Sequence, residues 1–305
     1  MANPTGEQFE LTRGNARAVI TEIGAGLRAF EIAGVPYLET FDAADEPPKG
    51  AGQVLLPWPN RTKAATWTFE GEELKLEVTE PRRGNAIHGL ARGREWQLLE
   101  HAESSITLAL DIPEGDGWPV PLRTGIVYDL APRELTVTHE VRNDGDRVIG
   151  FGVGTHPYLR VGDVPTDELA ITVPAGRVRP YVDEAQLPYG EEIGVEGTEY
   201  DLRAATPVGT LDLDTAFGAL APGDDGKHHV LLSGGGTTLD LWSGPDFRWV
   251  QIFTPDDLVG RGRAIAIEPM TCPADALNSK TDLITLAPGE SWKGSWGIRV
   301  ENSLA

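Results

Sequence analysis

The sequence has 305 residues and a formal net charge of −21 at neutral pH. So acidic a chain repels a polyphosphate backbone, which excludes nucleic acid as an expected partner. Its single cysteine, Cys272, cannot form a disulfide within the chain, and no run of about 18 apolar residues is present. We therefore expect a cytoplasmic protein without membrane contact.

Short alternating segments follow one another along the chain, separated by turns that use many of the 36 glycines and 23 prolines. Alternation with β-branched residues predicts half-buried strands, and the spacing typical of amphipathic helices is almost missing. Two segments predict hairpins: 67–78, which turns within 70–73, and 96–110, which turns near Ser104. Single strands are predicted at 16–23, 27–34, 134–141, 237–243 and 263–269.

This series of strands predicts an all-β fold, because no strand–helix–strand units of about 30 residues interrupt it. We expect a large antiparallel β-sandwich, with a barrel as the alternative. A boundary would fall most naturally in the loop-rich segment 162–226, but predicted strands continue through it. Residues 1–305 are therefore predicted to form a single domain.

Four segments place polar side chains at strand ends or turns, where a sandwich forms concave binding surfaces. In "LPWPNRT" (56–62), Asn60 and Arg61 follow two prolines, and in "NAIHGLARG" (85–93) His88 precedes a glycine. His156 ends a strand in "GVGTHPYL" (152–159), and Glu268 ends an apolar strand in "IAIEPMTCPADALN" (265–278). These four segments are the candidate site.

Glu268 is the most informative of these residues because isoleucines and alanines precede it. Desolvation raises the pKa of a carboxyl group and makes it a better general base near neutral pH. A surface carboxylate at a strand end is the alternative. Among the other histidines, His139 shares its parity with core valines, whereas His228 and His229 are predicted to lie on a surface loop. The histidine spacings predict no zinc site.

Taken in order, these motifs resemble the aldose 1-epimerases, also called galactose mutarotases. The order is "PNR", "HG", "HPY" and a late "EP" that leads into "PADALN"; "EGDGWPVPLRTGIVYDL" (114–130) and "LDTAF" (213–217) add to the resemblance. It implies a galactose mutarotase-like supersandwich fold. The chain has "PWPNR" where many members have glycine-arginine-x-asparagine-arginine, and Leu90 where they have a second glycine.

The resemblance also implies an activity, the interconversion of the α and β anomers of an aldose through ring opening, without a cofactor or a metal. Glu268 matches the general base and His156 the general acid. The positions that match sugar-binding residues are Asn60, Arg61, His88, Asp214 and Gln251.

Three alternatives remain open from the sequence. A glycoside hydrolase or lyase would use Asp214 and Glu268 as paired carboxylates. A sugar-binding module without turnover would use Trp96, Trp118 and Trp242 as stacking faces. A hexose 6-phosphate mutarotase would need convergent cations, for which Arg82, Arg83, Arg92 and Arg94 are candidates. Because the net charge is strongly negative, we expect a neutral or weakly charged aldose.

Overall fold

A computed structural model describes residues 3–181, 187 and 189–302, and within them nearly all regular structure is β-strand. The helical segments are the short helix α1 (Ala276–Ser279) and the 3-10 turns Pro48–Gly50, Lys63–Ala65, Thr166–Glu168 and Val208–Thr210. No helix in this part of the chain is long and apolar enough to cross a membrane.

The strands are β1 (Gln8–Arg13), β2 (Ala16–Thr21), β3 (Leu27–Ile32), β4 (Val35–Pro36), β5 (Val54–Leu55), β6 (Arg61–Thr62), β7 (Thr66–Phe69), β8 (Glu72–Lys75), β9 (Ala86–Ile87), β10 (Gln97–His101), β11 (Ser105–Ile112), β12 (Leu122–Ala131), β13 (Glu134–Asn143), β14 (Ile149–Phe151), β15 (Gly154–Thr155), β16 (Tyr158–Leu159), β17 (Ala170–Thr172), β18 (Ala175–Arg179), β19 (Ile193–Gly194), β20 (Thr206–Pro207), β21 (Asp214–Leu220), β22 (His228–Gly234), β23 (Thr237–Ser243), β24 (Trp249–Phe253), β25 (Ile265–Met270), β26 (Ile284–Leu286) and β27 (Ser291–Asn302).

Two large antiparallel sheets dominate the fold. The first has the strand order β10-β11-β12-β13-β27-β23-β22-β17-β20, and the second has the order β19-β18-β21-β24-β25-β15-β5, with β16 also paired to β25. Strands β1 to β4 form a separate meander. One continuous apolar core includes residues from both large sheets and from the meander. The predicted all-β antiparallel sandwich is therefore confirmed.

The predicted strands correspond to observed ones. Both hairpins form, with β7 and β8 joined at Glu70 and Gly71, and with β10 and β11 joined by residues 102–104. His139 is 1% exposed and accepts a hydrogen bond from Trp296 Nε1 at 3.1 Å, as expected for a core histidine. The prediction that His228 and His229 lie on a surface loop was wrong: both lie in β22, where they pair with Ser243 and Trp242 of β23.

Strand parity decides which side chains reach the candidate site. In β25, Ile265 and Ile267 pack into the main core, so Glu268 lies on the opposite face of the second sheet. Gln251 of β24 is paired directly with Glu268 across the strands, and it therefore shares that face. Loops from the first third of the chain cover this face, so its polar side chains are buried.

Candidate functional site

A cavity of about 260 Å³ lies over this face of the second sheet. Of the seven residues predicted from the sequence, six line it: Asn60, Arg61, His88, His156, Asp214 and Glu268. They come from loops and strands that are distant in sequence, and only the tertiary fold brings them together. The volume lies just below the usual range for ligand pockets and suits a small polar ligand.

Glu268 and His156 lie side by side at the base of the cavity. The Nε2 atom of His156 is 3.4 Å from the Oε1 atom of Glu268, and the two residues are 4% and 2% exposed. Their positions follow from β25 and from the turn between β15 and β16, where the His156 amide donates to the Gln53 carbonyl at 3.2 Å. The pair can exchange protons with a ligand atom that enters the cavity.

Burial determines the charge of this pair. It raises the pKa of the Glu268 carboxyl well above its usual range; the Asp214 carboxylate acts in the same direction and Arg61 opposes it. Burial also lowers the pKa of His156 to about 4, with a smaller contribution from Arg92. The roles that the resemblance implies need a glutamate anion beside an imidazolium, whereas desolvation shifts the pair toward a protonated carboxyl beside a neutral imidazole.

Both arrangements contain one proton, so the pair can still act as one acid and one base. The carboxyl and imidazole are close enough for that proton to pass between them directly or through a ligand hydroxyl. A pH–rate profile limited by this pair is bell-shaped in either case. The low-pH limb marks the binding of a second proton by the pair, and the high-pH limb marks the loss of the first.

His88 and Asn60 are held together by two hydrogen bonds. The backbone N–H of Asn60 donates to His88 Nδ1 at 3.2 Å, and the backbone N–H of His88 donates to the backbone carbonyl of Asn60 at 2.9 Å. Because Nδ1 accepts this hydrogen bond, it carries no proton, and the proton of the neutral ring lies on Nε2. Burial, followed by repulsion from His156, lowers the pKa of His88 well below its usual range. His88 is therefore a neutral donor at the cavity wall.

The backbone of this pair is strained, with φ of +56° at Asn60 and +65° at His88. Asparagine and histidine tolerate this left-handed region better than most residues. At Gly89, which also has a positive φ, an added Cβ would lie 2.2 Å from the Leu56 carbonyl oxygen. The glycine of the "HG" motif is thus required for the close approach of the two loops.

Arg61 is fixed by a network of acceptors. Its Nε and Nη2 atoms donate to the Glu80 carboxylate at 3.0 to 3.1 Å, and its Nη1 donates to the Tyr189 hydroxyl at 2.7 Å and lies 3.6 Å from Asp214 Oδ2. Burial alone would lower the pKa of the guanidinium, but Tyr189 and the two carboxylates raise it. Arg61 is therefore a charged, oriented group beside Glu268.

Gln251 occupies a different position from the one the sequence suggested. It is 1% exposed and does not line the cavity. Its Nε2 donates to Asp214 Oδ1 at 2.6 Å and to the Tyr189 hydroxyl at 3.4 Å. The amide therefore lies behind Asp214 and orients that carboxylate toward the cavity.

Sequence reasoning missed two residues of this network, Tyr189 and Glu80. The Tyr189 hydroxyl also donates to Asn60 Oδ1 at 3.1 Å, so one side chain connects three predicted site residues. No local pattern marks it, because it lies about 130 positions from Asn60 and Arg61 and 62 positions from Gln251. Glu80 lies before a proline in "TEPRRG" and resembles an ordinary surface carboxylate.

Three buried polar atoms of the site have no partner within the described residues: His156 Nδ1, Gln251 Oε1 and Glu268 Oε2. Such atoms also occur elsewhere in the core, for example at Trp58 and Thr124; of the three here, those of His156 and Glu268 belong to residues that line the cavity. In contrast, Trp96, Trp118 and Trp242 do not line the cavity. Trp96 and Trp118 belong to the apolar core, and Trp242 lies under the ammonium group of Lys227.

Comparison with known proteins identifies relatives along the whole chain. A family model described as aldose 1-epimerase matches residues 7–299. The uncharacterized protein YihR of Escherichia coli is 31% identical over 290 residues, which cover 94% of this chain and 91% of that protein. The galactose mutarotase of Sus scrofa is 26% identical over 220 residues, which cover 67% of this chain and 63% of that protein.

Solved structures share the fold. The GalM/aldose epimerase homologue from C. elegans superposes with a TM-score of 0.85 at 18% identity, covering 98% of this chain and 99% of that one. The galactose 1-epimerase from Lactobacillus acidophilus superposes with a TM-score of 0.79 at 20% identity, covering 96% and 93% of the two chains. At these identities the likeness establishes the fold alone.

Proposed function

The chain belongs to the aldose 1-epimerase family of isomerases, and we propose that it interconverts the α and β anomers of an aldose by general acid–base catalysis. The observation that carries this proposal is the contact between Glu268 and His156, whose Oε1 and Nε2 atoms lie 3.4 Å apart at the base of a polar cavity.

In the proposed reaction Glu268 removes the proton from the anomeric hydroxyl while His156 gives a proton to the ring oxygen. The bond between C1 and the ring oxygen breaks, and an aldehyde forms at C1 with a hydroxyl at C5. Rotation about the C1–C2 bond exposes the other face of the aldehyde. Reclosure returns both protons, so the pair ends with the proton it began with and no cofactor is consumed.

The remaining site residues hold the sugar in this proposal. His88 donates from Nε2 near the reacting end, because its Nδ1 is occupied by the Asn60 amide. Arg61 donates to sugar hydroxyls and Asp214 accepts from them, and each is oriented by a protein partner, Glu80 for Arg61 and Gln251 for Asp214. Such fixed donors and acceptors favour one orientation of the ring over the acid–base pair.

The test is the rate of exchange between the two anomers at equilibrium, measured by NMR on a panel of ¹³C1-labelled aldoses. We expect His156→Asn to lower kcat by at least about 100-fold, because asparagine keeps polarity but cannot supply the proton. Glu268→Gln should have the same effect, and the double variant should lose far less than the product of the two losses. His101→Asn, on an exposed hairpin strand, is the control and should leave the rate unchanged.

Three results would contradict the proposal. A well-folded His156→Asn protein with turnover within a few-fold of the parent would assign the acid role to another residue, with His88 tested next. If the protein does not raise the exchange rate of any sugar in the panel above the spontaneous rate without protein, a binding protein would be favoured. Release of reducing sugar from aryl glycosides, dependent on Glu268, would instead indicate a hydrolase.

A further inference from the structure

Three cationic side chains line the cavity, and they differ in how they are paired. Lys49 Nζ lies 2.9 Å from Asp257 Oδ1, and Arg61 is paired with Glu80. The guanidinium of Arg92, which also lines the cavity, forms no hydrogen bond or ion pair with the part of the chain that the structure describes. Only the backbone carbonyl of Arg92 accepts a hydrogen bond, from Gln53 Nε2 at 3.4 Å. Arg92 is therefore a partly buried cation without an anion.

The cost of this arrangement is visible in the electrostatics. Burial lowers the pKa of Arg92, and no neighbouring carboxylate opposes that effect. A guanidinium that lines a cavity without an ion-pair partner is available to an anionic ligand. The carboxylates Glu80 and Asp214 line the same cavity, but both lie within 3.6 Å of the Arg61 guanidinium.

Arg92 lies on the histidine side of the cavity. Gln53 connects Arg92 and His156: its side chain donates to the Arg92 carbonyl at 3.4 Å, and its own carbonyl accepts from the backbone N–H of His156 at 3.2 Å. In the proposed reaction Glu268 faces the hydroxyl on C1 and His156 faces the ring oxygen. The ring oxygen is bonded to C1 and C5, so the sugar atoms beyond His156 are C5 and its exocyclic carbon, C6.

Space for an exocyclic group exists next to Arg92. A second cavity of about 230 Å³ adjoins the first, and Thr79 and Arg92 line both. An extended substituent on C6 could therefore pass beside the guanidinium without displacing the sugar ring from the acid–base pair.

We propose that Arg92 binds an anionic group on C6 of the sugar, so that the preferred substrate is an acidic aldose rather than a neutral hexose. This inference rests on the proposed mutarotase function. It differs from the expectation based on the net charge of −21, because the charge next to the reacting sugar, rather than the charge of the whole surface, determines the preference. A carboxylate and a phosphate share the required chemistry.

The anomer-exchange assay compares matched sugars: glucose with glucuronate, galactose with galacturonate, and glucose with glucose 6-phosphate. We expect at least one anionic sugar to have a kcat/KM about 10-fold or more above that of its neutral partner, and the carboxylate and phosphate arms identify the group. A charged hydrogen bond accounts for about 10- to 100-fold. Arg92→Gln should lower kcat/KM for the anionic sugar by about 10-fold or more relative to its neutral partner, and Arg92→Lys should retain part of the preference.

Arg142→Gln is the control, since it removes the same charge from an arginine of β13 that is paired with Asp144 at 2.9 Å and lines neither cavity. It should keep the preference. Equal or faster exchange of the neutral sugars by the parent protein would overturn the inference, as would a preference that survives Arg92→Gln in a folded protein.

A separate measurement does not depend on turnover. Methyl glycosides cannot mutarotate, so calorimetric binding of methyl α-D-glucuronoside and methyl α-D-glucoside reports recognition alone. Absence of exchange for every sugar would contradict the proposed mutarotase function. In that case tighter binding of the glucuronoside, lost in Arg92→Gln, would still support the role of Arg92, and equal binding of the two glycosides would overturn it.

Discussion

Tyr189→Phe tests whether the orientation of Arg61 depends on a residue outside the predicted set. The change removes only the hydroxyl that accepts from Arg61 Nη1 at 2.7 Å, donates to Asn60 Oδ1 at 3.1 Å and accepts from Gln251 Nε2 at 3.4 Å. Asn60 Oδ1 keeps the Arg61 amide as a donor at 2.8 Å. The main loss is therefore the hydrogen-bond acceptor for Arg61 Nη1, a charged and largely buried donor.

A hydrogen bond to a charged group contributes about 1.5–3 kcal/mol, and an unpaired buried donor costs a similar amount. We expect Tyr189→Phe to lower the free energy of unfolding by about 1–3 kcal/mol. KM should rise by about 10-fold or more, because each 1.4 kcal/mol of lost binding is a factor of ten. The effect on kcat should be smaller, since the hydroxyl has no hydrogen bond to Glu268 or His156.

The assay combines urea unfolding with anomer exchange at several sugar concentrations, which separates KM from kcat. Tyr181→Phe is the matched control: its hydroxyl contacts Arg83 at 2.8 Å, and its backbone pairs with that of Tyr189 in an isolated bridge. The control should leave KM unchanged. A Tyr189→Phe protein with both KM and stability at parental values would refute the role of the hydroxyl in holding Arg61.

Two further predictions concern stability. Because burial raises the pKa of Glu268, ionisation of this carboxyl is opposed in the folded state, so the stability of the protein falls as pH rises above the ordinary carboxyl pKa. Glu268→Gln should therefore melt at a higher temperature than the parent, by a margin that grows from pH 5 to pH 8. A margin that stays constant over this range would contradict this reasoning. Gly89→Ala places a Cβ 2.2 Å from the Leu56 carbonyl oxygen at a positive φ. We expect the free energy of unfolding, measured in urea, to fall by about 2–4 kcal/mol, and activity to fall because the same loop carries His88. The control is Gly93→Ala, where the added Cβ meets open space, and its stability should be close to that of the parent.

The sequence by itself determined the strands, because an alternation of apolar and polar residues has the same period as the side chains of a strand. Segment 263–269 shows this: its isoleucines and alanines predicted a strand, and β25 forms there, although it continues past Glu268 to Met270 instead of ending at the proline. The ordered motifs also identified six residues that line one cavity. The strands could be predicted locally, since turns and strand parity depend on neighbouring residues only, whereas the roles of the site residues came from the resemblance to the aldose 1-epimerases.

Only the tertiary structure decided the electrostatics and the long-range contacts of the site. The pairing of β24 with β25 placed Gln251 behind Asp214 rather than in the cavity, and that register depends on the whole sheet. Tyr189 carried no motif, and Arg92 was one of four candidate arginines that the sequence could not tell apart, because the importance of both residues lies in what they contact, or lack, across the fold. The charge of the acid–base pair was likewise set by desolvation, which depends on every element packed around it and therefore has no local signature in the sequence.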